Sequence, residues 1–152
     1  MFDTIVIATD GSESVGRAIG VALDLADRFE ADVHALFVVD EGQIESSPES
    51  VREELRAGLE DDGEDAVAQV ATQAESTVTT AVREGRPAAT ISEFAREVDA
   101  DVVATGTRGR HGENRYLIGG VAESVVRRCP VPVLTVRQLE GEGDADPAES
   151  AA

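Results

Sequence analysis

The sequence contains no lysine, and its 152 residues include a single cysteine, Cys129. Without lysine the chain has no GK[ST] phosphate-binding motif, which excludes the P-loop class of nucleotide hydrolases. One cysteine cannot form an intramolecular disulfide. The single cysteine and two histidines, which lie far apart in the chain, do not match the spacing of a zinc-binding motif. We therefore expect a protein of the reducing cytoplasm whose own side chains hold no metal.

Long apolar runs are also missing, because every uninterrupted run is far shorter than the ~20 residues of a membrane-spanning helix. The N-terminus, MFDTIVIATD, has neither the basic segment nor the small-residue cleavage site of a signal peptide. We expect neither a membrane span nor a secretion signal. The length suits one domain with a single core.

Positive charge is scarce, since 31 acidic residues stand against 13 arginines and the formal net charge is -18. A surface this acidic repels nucleic acids and anionic membranes, and we expect neither as a partner. The composition resembles that of proteins from salt-in halophiles such as haloarchaea, in which salt screens the self-repulsion. Ordinary acidic solubility without halophily is the alternative that composition leaves open.

Five apolar, β-branched segments alternate with helical patterns along the chain. The predicted strands are Thr4–Thr9, Asp32–Asp40, Thr77–Gly85, Asp101–Gly106 and Val131–Val136. Helices are predicted after Ser12 as N-cap, from Pro48 to Ala74, from near Pro87 to Val98, and over Val121–Arg128. Gly58 and Gly63 predict a kink or frayed start in the long helix, Gln43–Pro48 is expected to be a polar turn region, and the acidic tail 138–152 is expected to be disordered. The order predicts a single-domain α/β fold, an open parallel sheet covered on both faces.

Ligands of such sheets bind beyond the carboxyl ends of the strands, where the strand order switches direction. Two segments reach that edge: Ala8-Thr9-Asp10, and the loop Gly106–Gly120 with its five glycines and three arginines. Exposed backbone N–H groups, a following helix N-terminus and a local charge of about +2 make this loop a candidate phosphate site. The alternative is a surface loop whose arginines only neutralise nearby acids.

Four stretches resemble the universal stress protein family: TIVIATDGSESV, FVVD, GRPAATISEFAREVDADVVATGTRGRHG and LIGGVAESVVRRCPVPVLTVR. The resemblance covers residues 1–137 and implies a doubly wound, Rossmann-like sheet of the adenine nucleotide alpha hydrolase type, with strand order 3-2-1-4-5. Its ATP-binding branch has the pattern G-x2-G-x9-G-[S/T], which Gly106, Gly109 and Gly119 match. Gly120 stands where the family has serine or threonine, so one hydroxyl donor to phosphate, worth about 0.5–1.5 kcal/mol, is lost. We expect weakened rather than abolished binding.

The resemblance carries over a set of nucleotide-binding positions: Ala8, Asp10, Val38, Thr105, Gly106, Arg108, Gly109, Arg110, Gly119, Gly120 and Val121. Ala8 and Val38 are implied to meet the adenosine, the residues from Thr105 to Arg110 the ribose and phosphates, and the last three the phosphates at a helix start. Asp10 either orients ribose or a metal-bound water, or forms an Asx turn. Of the two histidines, His34 is predicted to pack within the fold, and His111 either touches phosphate or lies in solvent.

Three functions follow from this interpretation. The leading one is a regulatory protein that binds ATP with Mg²⁺ or Mn²⁺, occupancy tuning a homodimer formed through the last strand or another partner surface. The second is a dimeric interaction module of the same fold that needs no nucleotide. The third is a very slow ATPase, which the absence of lysine and of a clear general base disfavours.

Overall fold

The computed structural model describes residues 2–107 and 120–139. Within them the elements are β1 (Thr4–Ala8), α1 (Gly16–Phe29), β2 (Asp32–Asp40), α2 (Glu41–Glu45), α3 (Arg52–Gln73), β3 (Val78–Gly85), α4 (Pro87–Glu97), β4 (Val102–Gly106), α5 (Gly120–Arg128) and β5 (Val133–Val136). The 3₁₀ turns Glu13–Val15 and Glu49–Val51 precede α1 and α3. The predicted tail lies outside the described residues from Glu140 onward.

The five strands form one parallel sheet in the order β3-β2-β1-β4-β5, which confirms the predicted order 3-2-1-4-5. The central strand β1 pairs with β2 on one side and with β4 on the other, so that Val6 lies opposite both His34 and Val103. Because both neighbours of β1 are parallel to it, the carboxyl ends of all three strands meet at one edge.

Helices cover both faces of the sheet, as the apolar strands predict. Ile5 and Ile7 point into a core shared with α1 and α3, whereas Val6 points into a second core shared with α4 and α5. His34 packs edge-on against Phe94 of α4 with ring centroids 5.9 Å apart, which confirms the predicted packing role. In the two described ranges no helix has both the length and the apolar character needed to cross a membrane.

Three local expectations differ in part from the structure. Ser12 occupies the N-cap position of the 3₁₀ turn Glu13–Val15 that leads into α1, but its side chain makes no capping bond there, and its Oγ donates to Asp10 Oδ1 at 2.6 Å. The expected turn region after β2 begins with the helix α2, which Asp40 caps by accepting from Gly42 N at 2.9 Å. The last strand begins at Val133 rather than Val131, since Pro132 has no N–H for the ladder and contributes only its carbonyl, which accepts from Val103 N at 2.9 Å.

The glycines of α3 also behave differently from the expectation of a kink or frayed start. The helix is continuous from Arg52 to Gln73 through both of them. A Cβ on Gly58 would meet no atom of residues 2–107 or 120–139 within 4 Å, whereas one on Gly63 would lie 2.7 Å from Phe37 Cδ1. Gly63 therefore lies close to β2, and its missing side chain makes room for a buried ring.

Candidate functional site

The edge of the sheet opens between β1 and β4. The last residues paired between these strands are Ile7 and Ala104, whereas β1 remains paired with β2 through Ala8 and β4 with β5 through Gly106. The chain adds β2 and β3 on one side of β1 and then β4 and β5 on the other, so this gap is the topological switch point. Parallel α/β sheets bind ligands at that position.

Three predicted site residues line one side of this gap. Ala8 and Val38 belong to the core on the α4 and α5 face, and strand alternation places Thr105 on the same face, since Val103 lies there and Ala104 on the other. Ala8 is 7% exposed and Thr105 9%, while Val38 is half-buried. The structure therefore brings Ala8, Val38 and Thr105 to one face and one edge.

The turn after β1 is held by its own hydrogen bonds. Thr9 N donates to Leu36 O at 2.9 Å, and Thr9 Oγ1 accepts from Gly11 N at 3.1 Å. Asp10 Oδ1 accepts from both Ser12 N at 2.9 Å and Ser12 Oγ at 2.6 Å, an Asx turn. Gly11 has φ 78°, a conformation that glycine adopts without strain. A Cβ at this position would lie 3.3 Å from the Cβ of Ala66 in α3. The Asx turn is thus the structural role of Asp10, and a ligand role for its carboxylate stays a prediction.

Helix α5 supplies the opposite wall of the predicted site. It begins at Gly120 on the same face of the sheet, where its Val125 is fully buried. Gly120 is exposed, with no atom of residues 2–107 or 120–139 within 4 Å of the place a Cβ would occupy, and Val121 is 43% exposed. The N–H groups of the first turn of α5 carry the partial positive charge of a helix N-terminus. Arg108, Gly109, Arg110, His111 and Gly119 lie outside the described residues.

Ion pairs stand beside the edge at the ends of β2 and β3. Arg86 bridges Glu41 and Glu45 of α2, each at 3.1 Å. Arg56 of α3 pairs with Glu84 at 2.8 Å and with Glu53 at 2.6 Å, and the hydrogen bond to Glu84 is the main reason the pKa of Arg56 is raised. Arg56 and Arg86 thus form ion pairs with glutamates, and their positive charges neutralise these nearby acidic side chains.

No group of three or more His, Cys, Asp or Glu side chains that could hold a metal occurs in residues 2–107 and 120–139. Cys129 is half-buried against the core beneath α4 and α5, as a small apolar side chain would be.

The model of the universal stress protein family matches residues 1–137. The chain belongs to the universal stress protein family. Universal stress protein MJ0531 of Methanocaldococcus jannaschii is 36% identical over 146 residues, which cover 93% of this chain and 86% of that protein. Among solved structures, the protein MJ0577 superimposes with a TM-score of 0.80 at 25% identity, covering 91% of this chain and 98% of that one. A universal stress protein in complex with cAMP superimposes with a TM-score of 0.66 at 25% identity, covering 90% and 97%.

In this universal stress protein, two residues at the edge have a role that the sequence analysis did not assign. Thr9, which belongs to the segment Ala8-Thr9-Asp10 predicted to reach this edge, is 6% exposed and fixes the turn by accepting from Gly11 N. Its place between a strand and Asp10-Gly11 was an available signal. Gln138 caps the start of α1, because its Oε1 accepts from Arg17 N at 3.0 Å. No local sequence pattern predicts this hydrogen bond, because it joins residues 121 positions apart.

Proposed function

We propose that this universal stress protein binds an adenine nucleotide at the edge between β1 and β4, with ATP and Mg²⁺ or Mn²⁺ as the preferred ligand. The nucleotide acts as a regulatory signal in the cytoplasm, and occupancy changes the pairing of two copies or the surface offered to another partner. The observation that carries the proposal is that Ala8, Val38 and Thr105 lie on one face of the sheet at the switch point and that α5, which packs on the same face, begins at Gly120.

The chemistry of this edge suits a nucleotide. The half-buried Val38 and the small Ala8 leave apolar surface for a flat base. The first turn of α5 offers backbone N–H groups, and a helix N-terminus suits phosphate in a protein whose net charge is -18. The related structure in complex with cAMP adds support, because an adenine nucleotide is the ligand of that protein.

The sharpest test uses the departure at Gly120. Since no atom in the described ranges lies within 4 Å of its Cβ position, serine and alanine both fit there against these residues without moving a neighbour. Gly120→Ser restores a hydroxyl where phosphate is expected, while Gly120→Ala adds a similar volume without the donor. One hydrogen bond to a charged acceptor contributes about 1.5–3 kcal/mol, so we expect Gly120→Ser to bind Mg²⁺-ATP about tenfold or more tightly than Gly120→Ala.

The measurement is calorimetric titration of Mg²⁺-ATP into the wild type and both variants in molar KCl. Gly109→Val, verified as folded by circular dichroism, serves as the loss-of-binding control, since its side chain obstructs the glycine loop. Saturable binding that is strongest in Gly120→Ser and absent in Gly109→Val is the expected result. Equal affinity in Gly120→Ser and Gly120→Ala would mean that the phosphates lie elsewhere, and absence of binding in all four proteins would overturn the proposal.

A second candidate function, a nucleotide-independent dimeric module, is favoured by the contrast between the two sheet edges. The outer strand β3 exposes polar residues such as Thr79, Thr80 and Glu84. At the other edge β5 carries Val133 and Leu134 beside an apolar groove of about 450 Å³, lined by Phe2, Val21, Asp24, Leu25, Val102, Pro132, Val133 and Leu134. An apolar edge strand invites pairing with a second copy.

This candidate has its own test. Because Pro132 O accepts from Val103 N, alternation turns the backbone N–H of Thr135 away from β4. Thr135→Pro removes that N–H while leaving the ladder with β4 intact. We expect light scattering to show a dimer for the wild type and a monomer for the folded variant. If wild type dimerises equally with and without ATP, the module function stands without the nucleotide; a monomeric wild type would refute it.

A further inference from the structure

One face of the sheet carries an apolar groove beside its last strand. On this face α3 packs over β2 and β3, and α1 packs over β1 and β4 with contacts to β5. Among residues 2–107 and 120–139 no helix follows α1 on this side, although the sheet continues to β5. The strip between α1 and β5 is a groove of about 450 Å³, in the position that the next helix of the layer would occupy.

Apolar side chains line this groove from both the sheet and the helix. Val102 and Leu134 come from strands, and Val21 of α1 is 38% exposed. Phe2 also lines the groove and packs edge-on against Phe29, which is 44% exposed, with ring centroids 5.1 Å apart. Two of the four phenylalanines of a chain without tryptophan thus lie at the groove or next to it. Exposed aromatic and aliphatic surface of this kind is typical of protein interfaces.

The side of α1 that borders the groove carries more positive than negative charge. Arg17, Val21, Asp24 and Arg28 follow one another along it at helical spacing, and Asp24 is paired with Arg28 at 3.0 Å. Arg17 Nη1 donates to the carbonyl of Arg137 at 2.9 Å, so both residues lie at the same end of this stripe. Within the described ranges neither arginine forms an ion pair with a carboxylate. In a chain of net charge -18, this end of the groove is suited to an acidic group.

The other end of the groove carries acidic residues. Asp3 follows Phe2 there, and Asp101 Oδ2 accepts from Asp3 N at 2.7 Å and from Thr4 N at 2.9 Å. A uniformly acidic partner would be repelled at this end, whereas one with carboxylates only at the arginine end would not. Charge therefore selects both the chemistry of a partner and its position along the groove.

We propose that the groove between α1 and β5 binds an amphipathic helix of a partner protein, with apolar side chains in the groove and a carboxylate beside Arg17 and Arg137. A helix fits because the groove runs alongside α1 in the same layer, and apolar residues at i, i+3, i+4 and i+7 would form one face toward it. The groove lies on the α1 face, opposite the face of Ala8, Val38 and Thr105, so this binding does not require a nucleotide.

The experiment uses the full-length protein without nucleotide and two synthetic peptides of about 15 residues, long enough to form a helix when bound. Both are acetylated and amidated at their ends, with leucine on one face and alanine and glutamine on the other. The acidic peptide has two glutamates in its first turn, where the neutral peptide has two glutamines. Binding is measured by fluorescence anisotropy at about 0.15 M and about 2 M KCl, with sucrose keeping the protein folded at the lower salt.

We expect the acidic peptide to bind at least about twofold more tightly than the neutral one at the lower salt and equally at the higher. Net charge alone predicts the opposite order, because an acidic chain repels an acidic peptide. Val21→Asn should weaken both peptides about tenfold, whereas Val126→Asn, at a 49% exposed valine of α5, should change neither. Arg17→Gln should abolish the preference for the acidic peptide, and Arg96→Gln, the same charge change on α4, should preserve it.

Three results would overturn the proposal, provided that circular dichroism shows every variant to be folded. The first is tighter binding of the neutral peptide, or no binding of either peptide. The second is an equal loss in Val21→Asn and Val126→Asn, since binding would then not depend on the groove. The third comes from light scattering of the free protein: a mass that falls in Val21→Asn alone would mean that a second copy fills the groove.

Discussion

The two glycines of α3 allow steric packing to be separated from helix propensity. Replacing glycine by alanine inside a helix stabilises the folded state by about 1 kcal/mol, because alanine loses less backbone entropy. Gly58→Ala should give this gain in full, since its Cβ would meet nothing within 4 Å. Gly63→Ala gains the same amount and adds a steric cost.

The steric cost at Gly63 follows from the neighbours of its Cβ position. A methyl group there would lie 2.7 Å from Phe37 Cδ1, 3.1 Å from Phe37 Cγ and 3.1 Å from Val82 Cγ1. Phe37 is 3% exposed and cannot swing away, so α3 or the ring must shift within a packed core. Overpacking of this kind costs about 1–3 kcal/mol.

The difference between the two variants isolates that cost, because the propensity gain is common to both. We expect Gly58→Ala to be more stable than Gly63→Ala by about 1–3 kcal/mol in the free energy of unfolding. The assay is urea denaturation followed by circular dichroism in molar KCl, with equal slopes required before the two midpoints are compared. If Gly63→Ala were stabilised as much as Gly58→Ala, the close approach of α3 to β2 would be wrong.

Two further predictions concern stability. Ser92 is 5% exposed, and its Oγ is the one buried side-chain polar atom without a hydrogen-bond partner among the described residues. Ser92→Ala should therefore raise the free energy of unfolding by about 1 kcal/mol. A lower free energy of unfolding in urea denaturation would mean that the hydroxyl has a hydrogen-bond partner. Glu30 and Asp99 end α1 and α4 with φ 54°, where an acidic side chain also faces the negative helix terminus. Glu30→Gly and Asp99→Gly should each raise the free energy of unfolding by about 1 kcal/mol at low salt and by less at 2 M KCl. A gain that does not depend on salt would mean that repulsion between the acidic side chain and the helix terminus contributes nothing.

The strands and the layers could be predicted because each strand carries its own signal, whereas the strand order 3-2-1-4-5 was implied by the family resemblance. The segment Val102–Gly106 is buried throughout, and only a strand with helices on both faces needs such a run. The missed details depend on partners distant in sequence. The close approach at Gly63 requires Phe37, and the capping of α1 requires Gln138, 121 residues from Arg17. Helix α2 was missed because Asp40 ends β2 and caps α2 at once.

Some features of the candidate site could be predicted from the sequence and others could not. The family resemblance implied that Ala8, Val38 and Thr105 belong to one site, and a parallel sheet gathers the carboxyl ends of their strands at one edge. The orientation of Asp10 could not, because two donors from the same residue, Ser12, decide it. Both alternatives for Asp10, the Asx turn and the ligand role, require only a carboxylate after a strand. The sequence alone does not show whether this carboxylate accepts hydrogen bonds from a serine two residues later or from a ligand.

The behaviour of Asp10 bears on how so acidic a chain can attract an anion. Its carboxylate stands at the edge of the gap, where free negative charge would repel phosphate. Two hydrogen bonds from Ser12 hold Oδ1 and occupy its lone pairs. In the proposed site, attraction for phosphate would come from the backbone N–H groups at the first turn of α5 and from the arginines Arg108, Arg110 and Arg115 of the glycine-rich loop. Backbone dipoles act over a few ångströms only, so the affinity of such a site depends on the groups nearest the phosphate more than on the net charge of the chain.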